Sequence, residues 1–201
     1  MCASGTTLGG DAACFALTFP RMTLISTRRV HTGRIVSLDI DTVRYPDGSS
    51  GELEMLRHPG ASAIVPFLDD PRSHDPRIVL IRQFRHATNG YFWEIPAGRR
   101  DAGEDPAVTA RRELREETGY QCGALVRLTE IWTTPGFTDE VIHLFMASDL
   151  TAGTDALEAD EFLELHEMRW SKVLDMVRHG VITDAKSLTA ILHIEALHRP
   201  G

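Results

Sequence analysis

The stretch richest in chemistry runs Gly98-Arg-Arg-Asp-Ala-Gly-Glu104, then seven residues, then Arg112-Glu113-Leu114-Arg115-Glu116-Glu117-Thr118-Gly119-Tyr120. On a helix each residue advances by about 100°. With Glu113 at zero, Glu116 falls near about −60° and Glu117 near about +40°, so the three carboxylates share one stripe. Ala107, Ala110 and Leu114 form an adjacent stripe that can face a core, while Arg111 and Arg115 point roughly the other way. Three carboxylates with no lysine between them repel one another unless a cation sits among them. Hard divalent cations take oxygen ligands, and Mg²⁺ in particular bridges a few carboxylates to substrate phosphates. Such an ion also acidifies bound water and neutralises charge on phosphate oxygens. The chemistry suggested is metal-assisted attack on a phosphate group. A solvated acidic helix face would explain Glu116-Glu117 alone. It does not explain the full pattern, whose seven fixed positions match by chance on the order of once in a hundred million starts.

A helix must hold this stripe. Asp105 suits its N-cap, Pro106 its first helical position and Gly119 its C-terminal stop. Before it, β-rich segments are expected at 24–30, 34–43 and 51–58, with the turn Tyr45-Pro46-Asp47-Gly48 between the last two. Residues 61–68 and 77–84 read as a hairpin with an extended polar tip, and 91–95 as a short strand. Strands at 123–133 and 140–148 follow the helix. An acidic run, 155–167, reads as a solvated loop or helix face, and helices at about 171–179 and 184–198 close the chain. This order indicates an α/β sandwich with a mixed sheet and an N-terminal antiparallel β extension. The expected division is a disordered tail over 1–21, the extension over 22–58 and the main domain over 59–201.

The 201 residues suit one domain with a small appendage, and 42% apolar with 25% charged residues is ordinary globular usage. Acidic residues number 29 against 21 Lys plus Arg. The resulting charge of −8 disfavours nucleic acid and anionic membranes as partners, while leaving room for a local basic pocket. No apolar run reaches the about 18 residues of a membrane span. Cys2, Cys14 and Cys122 show neither a disulfide framework nor metal-ligand pairing, so a reducing cytoplasm is expected.

The 98–120 pattern resembles that of the Nudix hydrolases, with every fixed position of the family box met. The resemblance implies an α/β/α sandwich and hydrolysis of a nucleoside diphosphate linked to another group. By position, Glu113, Glu116 and Glu117 match the metal-binding carboxylates, and the main-chain carbonyl of Ala97 a further ligand, with Mg²⁺ as cofactor and Mn²⁺ as a substitute. Gly98, Glu104, Arg112 and Gly119 match structural positions of the box. Pro135 lies 16 residues beyond Gly119. Its placement resembles the ADP-ribose pyrophosphatase branch, as do Ile81-Arg82-Gln83-Phe84-Arg85, Trp93-Glu94-Ile95-Pro96-Ala97-Gly98 and His58-Pro59-Gly60-Ala61. The branch implies that Glu140, with Glu116, serves catalysis. It further implies that Arg85 contacts the substrate, that Arg34, Ile35 and Glu54 reach it from a partner subunit, and that the enzyme is a homodimer. Glu52 departs from relatives that carry a basic residue there. The expected reaction is Mg²⁺-dependent cleavage of ADP-ribose to AMP and ribose 5-phosphate. Alternatives are another substrate (GDP-mannose or a similar nucleotide sugar, NADH, an oxidised nucleotide) or a non-catalytic ADP-ribose sensor.

Other residues carry no role in this reading. The nine histidines form no zinc-like pair. Ser62 and Ser187 lack a nucleophile context, Trp93 and Trp132 read as core, and Cys122 as a buried small apolar residue.

Overall fold

The computed structural model describes residues 21–153 and 163–199. Residues 1–20 of the expected tail and 155–162 of the acidic run fall outside this range. The first sheet is antiparallel, in the order β1-β2-β3, and comprises β1 (Thr23–Thr32), β2 (Ser37–Arg44) and β3 (Ser50–Arg57). The turn after β2 forms as expected: Gly48 donates its N–H to the Tyr45 carbonyl at 3.0 Å, with φ of 88°. That sign of φ suits glycine. On β2 the buried positions alternate as Asp39, Asp41 and Val43. The two acids are paired: Arg29 and Arg57 bond Asp39, and Arg57 also bonds Asp41.

The second sheet surrounds β4 (Ala61–Pro66), whose six residues are all buried. Its order is β7-β4-β9-β8, with β7 (Ala97–Arg99), β8 (Tyr120–Trp132) and β9 (Val141–Ala152). The β4–β9 pairing is parallel and the other two are antiparallel, so the sheet is mixed as expected. Because strand side chains alternate between faces, β4 feeds two cores. Ile64 packs with Phe145, Ala147 and the α1 (Pro106–Thr118) residues Ala110 and Leu114. Ala63 and Val65 point the other way. They join Trp170 and Val173 of α2 (Trp170–Arg178) and Ile191 and Ile194 of α3 (Ala185–Leu197). Helices thus cover both sides of the sheet. A third, antiparallel sheet runs β10-β5-β6, built from β5 (Arg77–Arg85), β6 (Gly90–Glu94) and β10 (Leu163–Arg169).

Several expectations are corrected. Residues 61–68 and 77–84 do not form a hairpin: one isolated bridge, Phe67 with Ile78, joins them before β4 and β5 enter different sheets. A strand apolar on both faces sits at a sheet centre, so β4 takes β7 and β9 as neighbours instead. The end of the acidic run, 163–167, is strand rather than loop or helix. There Glu167 and Glu164 face Arg77 and Arg82 across the β5–β10 ladder, at 3.0 and 3.4 Å. Trp132 is 58% exposed and not core, and Trp93 is half-buried, edge-on to His166. Cys122 is half-buried and close to Arg111, which donates to its carbonyl at 2.8 Å.

Candidate active site

Helix α1 begins where expected: the Asp105 carboxylate accepts the Ala107 N–H at 2.8 Å, Pro106 follows, and Gly119 ends the helix with φ of 72°. Buried Ser62 donates its hydroxyl to the Pro106 carbonyl at 2.8 Å, fastening the first turn to β4. The expected core stripe is in place, with Ala110 and Leu114 fully buried. Beside it, Glu113 and Glu117 are buried and Glu116 is half-buried.

The glutamates meet the loop and strand that precede the helix. Glu117 accepts the Ala97 N–H at 2.8 Å. Glu113 lies over Gly98 so closely that a Cβ there would stand 2.0 Å from its carboxyl carbon. Arg112 reaches back among them. Its Nη1 donates to Glu113 at 2.6 Å and Glu116 at 2.9 Å, while Nη2 donates to Glu104 at 3.3 Å and the Arg99 carbonyl at 3.0 Å. Burial works against the charge of Arg112, yet Glu104, Glu113 and Glu116 together push its pKa up. Glu104 also accepts the Asp101 N–H at 3.0 Å and the Thr109 hydroxyl at 2.9 Å. These bonds, led by that from Arg112, hold its pKa down at about 2. A guanidinium of this chain is thus one cation that sits among the converging carboxylates. Among the described residues no three His, Cys, Asp or Glu side chains stand together as a ready-made metal cluster. The donor set is nevertheless all oxygen on one face, which fits a hard divalent ion.

The remaining expected residues fall into separate groups. Glu140 stands 3.3 Å from His58, in the loop leading into β9. That loop is docked on β3: Leu56 donates its N–H to the Phe137 carbonyl at 2.8 Å, and Asp139 accepts the His58 N–H at 2.8 Å. Since Ala61 is flanked by Arg99 on one side and Ile142 on the other, Glu140 enters at the sheet end where β7 pairs. Arg34 offers its carbonyl to Arg99 of its own chain at 2.7 Å. Arg34, Ile35, Arg57, Arg99 and Arg100 line a surface pocket of about 380 Å³, the local basic pocket that the net charge left open. Glu54 is exposed on β3, opposite Ile40, and joins none of these groups.

Arg85 forms a two-pronged pair with Glu94, Nε and Nη2 each donating at 2.7 Å. Lys186 meets the same carboxylate from α3. Sequence reading gave Glu94, Lys186 and Asp184 no role. The available signal was a lone charge inside the apolar segment Phe92-Trp93-Glu94-Ile95.

A layered α/β/α core presenting a glutamate-rich helix to a glycine turn defines the class, and the NUDIX domain profile matches residues 57–190. The chain belongs to the NUDIX family. It is 38% identical over 173 residues to the methanol dehydrogenase activator of Bacillus methanolicus, covering 85% of this chain and 91% of that protein. It is 35% identical over 173 residues, with the same coverage, to the ADP-ribose pyrophosphatase of Bacillus subtilis (strain 168). A solved structure of an ADP compounds hydrolase, 23% identical, aligns with a TM-score of 0.72 over 88% of this chain and 93% of that one, a likeness of fold. Among the described residues no helix is long and apolar enough to cross a membrane.

Proposed function

We propose that this chain hydrolyses the diphosphate of ADP-ribose, in a Mg²⁺-dependent reaction giving AMP and ribose 5-phosphate. The observation that carries the reading is the 35% identity to an ADP-ribose pyrophosphatase along 85% of the chain, which takes in the whole box. Glu113, Glu116, Glu117 and the Ala97 carbonyl would hold Mg²⁺ or, in its place, Mn²⁺. When bound, the ion supplies charge neutralisation and a more acidic water. The chain's own groups do the rest. Glu104 and Arg112 hold the start of α1 against the Gly98 turn, so that the carboxylates of one helix face converge. Glu140 accepts the proton of the attacking water. Arg85 receives the diphosphate, since a planar guanidinium engages two oxygens together.

The N-terminal sheet supports the further reading of a homodimer. Every residue of β1 is exposed, and Leu24, Ile25 and Val30 are about half exposed. An uncovered apolar edge strand invites a partner, and a twofold mate would bring Arg34, Ile35 and Glu54 to the opposite site. In this reading residues 22–58 serve assembly, 59–201 form the catalytic domain, and the protein works in the cytoplasm.

The test is steady-state turnover of ADP-ribose and a panel of nucleotide sugars with Mg²⁺, products resolved by chromatography. AMP and ribose 5-phosphate are expected, with Glu117→Gln as the inactive control. Preference for another nucleotide sugar, or wild-type turnover by the control, would overturn the substrate or the metal assignment respectively.

A further inference from the structure

Glu94 carries a carboxylate into the interior, with 2% of its surface exposed. A buried charge is costly unless it is paired and hydrogen bonded. Two cations from different elements meet it. Arg85 on β5 clasps both oxygens through Nε and Nη2, and Nη1 takes no part in that pair. Lys186, itself buried in the first turn of α3, donates to the same Oε2 that Arg85 uses. Lys186 is held in turn by Asp184 at 3.0 Å. Asp184 is the N-cap of α3 and accepts the Ser187 N–H at 2.9 Å. The Ser187 hydroxyl oxygen accepts the Ile95 N–H at 2.9 Å, two residues before Ala97. The first turn of α3 therefore touches the candidate site twice: through Glu94 to Arg85, and through Ile95 to the loop bearing Ala97.

The charges explain why a lysine is useful there. A lone Glu94–Arg85 pair would be neutral, and the carboxylate would absorb most of the field that the guanidinium offers a substrate. A second cation on the same carboxylate shares that charge, and Asp184, the acid that holds this cation, acts on Arg85 less than Glu94 does. Arg85 then stays oriented by its two bonds while keeping positive potential on its open side. Glu117 is among the charges that act on Arg85.

We propose that Lys186 is a positioning residue for the diphosphate: by sharing Glu94 with Arg85, it keeps Arg85 both oriented and available to a substrate anion. The proposal rests on the reading of Arg85 as a diphosphate contact. The rival role is a purely structural tie between α3 and β6. That tie would alter stability without depending on Arg85.

The experiment is a double-mutant cycle in the full chain with Lys186→Met, Arg85→Ala and both together. It reads KM and kcat for ADP-ribose, ADP affinity by calorimetry with Mg²⁺, and thermal melting. Lys186→Met is expected to raise KM and weaken ADP binding by about tenfold, with a smaller change in kcat. In the Arg85→Ala background the same substitution should change ADP affinity by less than about twofold. Unchanged affinity in the single variant, or the same loss in both backgrounds, overturns the proposal. Should Lys186→Met fail to melt cooperatively, the pair Glu94→Gln with Lys186→Met removes both buried charges. Wild-type ADP affinity in that pair overturns the proposal equally. If the wild-type protein binds ADP but leaves ADP-ribose intact, the substrate reading fails while the Lys186–Arg85 coupling is still read from ADP affinity.

Discussion

At position 98 the space beside Glu113 admits a hydrogen and little more, since a Cβ would meet the carboxylate at 2.0 Å. The clash falls on the far end of a flexible side chain rather than on backbone, so the fold can absorb it by swinging Glu113 aside. Gly98→Ala is therefore expected to melt close to wild type yet lose about 10²–10³ in kcat, the usual size when support for a developing charge is displaced. Turnover near wild type would remove Glu113 from the site. Glu104 makes a different prediction. Its pKa falls from 4.5 to about 2 on folding. A depressed carboxylate stabilises the fold above its unfolded pKa, and that contribution disappears as pH drops through the folded value. Wild type should then melt above Glu104→Gln by about 2–4 °C at neutral pH. The gap should close between pH 4.5 and about 2. A gap independent of pH would mean that shape, not charge, is what Glu104 contributes. Arg112 was legible as a structural position of the box but not as the cation lying on Glu113 and Glu116. Spacing fixes which face a side chain occupies, whereas the reach of a guanidinium depends on rotamers.

Among the elements, α1 was readable to within a residue because its cap, its first-turn proline and its terminal glycine are all local signals. The pairing of β5 with β10 was hidden for the opposite reason. Leu163-Glu-Leu-His-Glu-Met-Arg169 mixes charged with apolar residues, so composition suggested solvent while the strand's partner lay far off in sequence. The β4–β5 hairpin failed on the same ground: adjacency along the chain suggested pairing, and burial on both faces decided otherwise. The loop Thr134–Glu140 was assigned its role by resemblance, and the structure supplies its physical anchor on β3 through Leu56 and Asp139. With the backbone so held and His58 at 3.3 Å, Glu140→Gln should leave the loop in place. Its expected effect is a loss of at least about tenfold in kcat with little change in ADP-ribose affinity, as for a general base. Weakened affinity with normal kcat would make Glu140 a binding residue instead.

For the whole molecule, the exposed β1 strand sets the expectation of a dimer. Light scattering should show a dimer at assay concentration, and Leu24→Lys with Val30→Lys should shift it toward monomer, because charge on an edge strand opposes pairing. A stable, fully active wild-type monomer would refute that assembly. The parallel pairing of Ala61 with Ile142 has a further consequence, in time rather than space. The box from Gly98 to Tyr120 lies wholly inside the loop that this pairing closes. Such long-range closure is slow, because entropy is lost before contacts are gained. A chain emerging from the ribosome at about 5–20 residues per second therefore exposes its glutamate helix well before the strand that must flank β4. The turn carrying Lys186 and Ser187 emerges later still. A nascent or truncated chain ending before Val141 would carry every residue of the box and no finished site, so activity should arise late in folding and all at once.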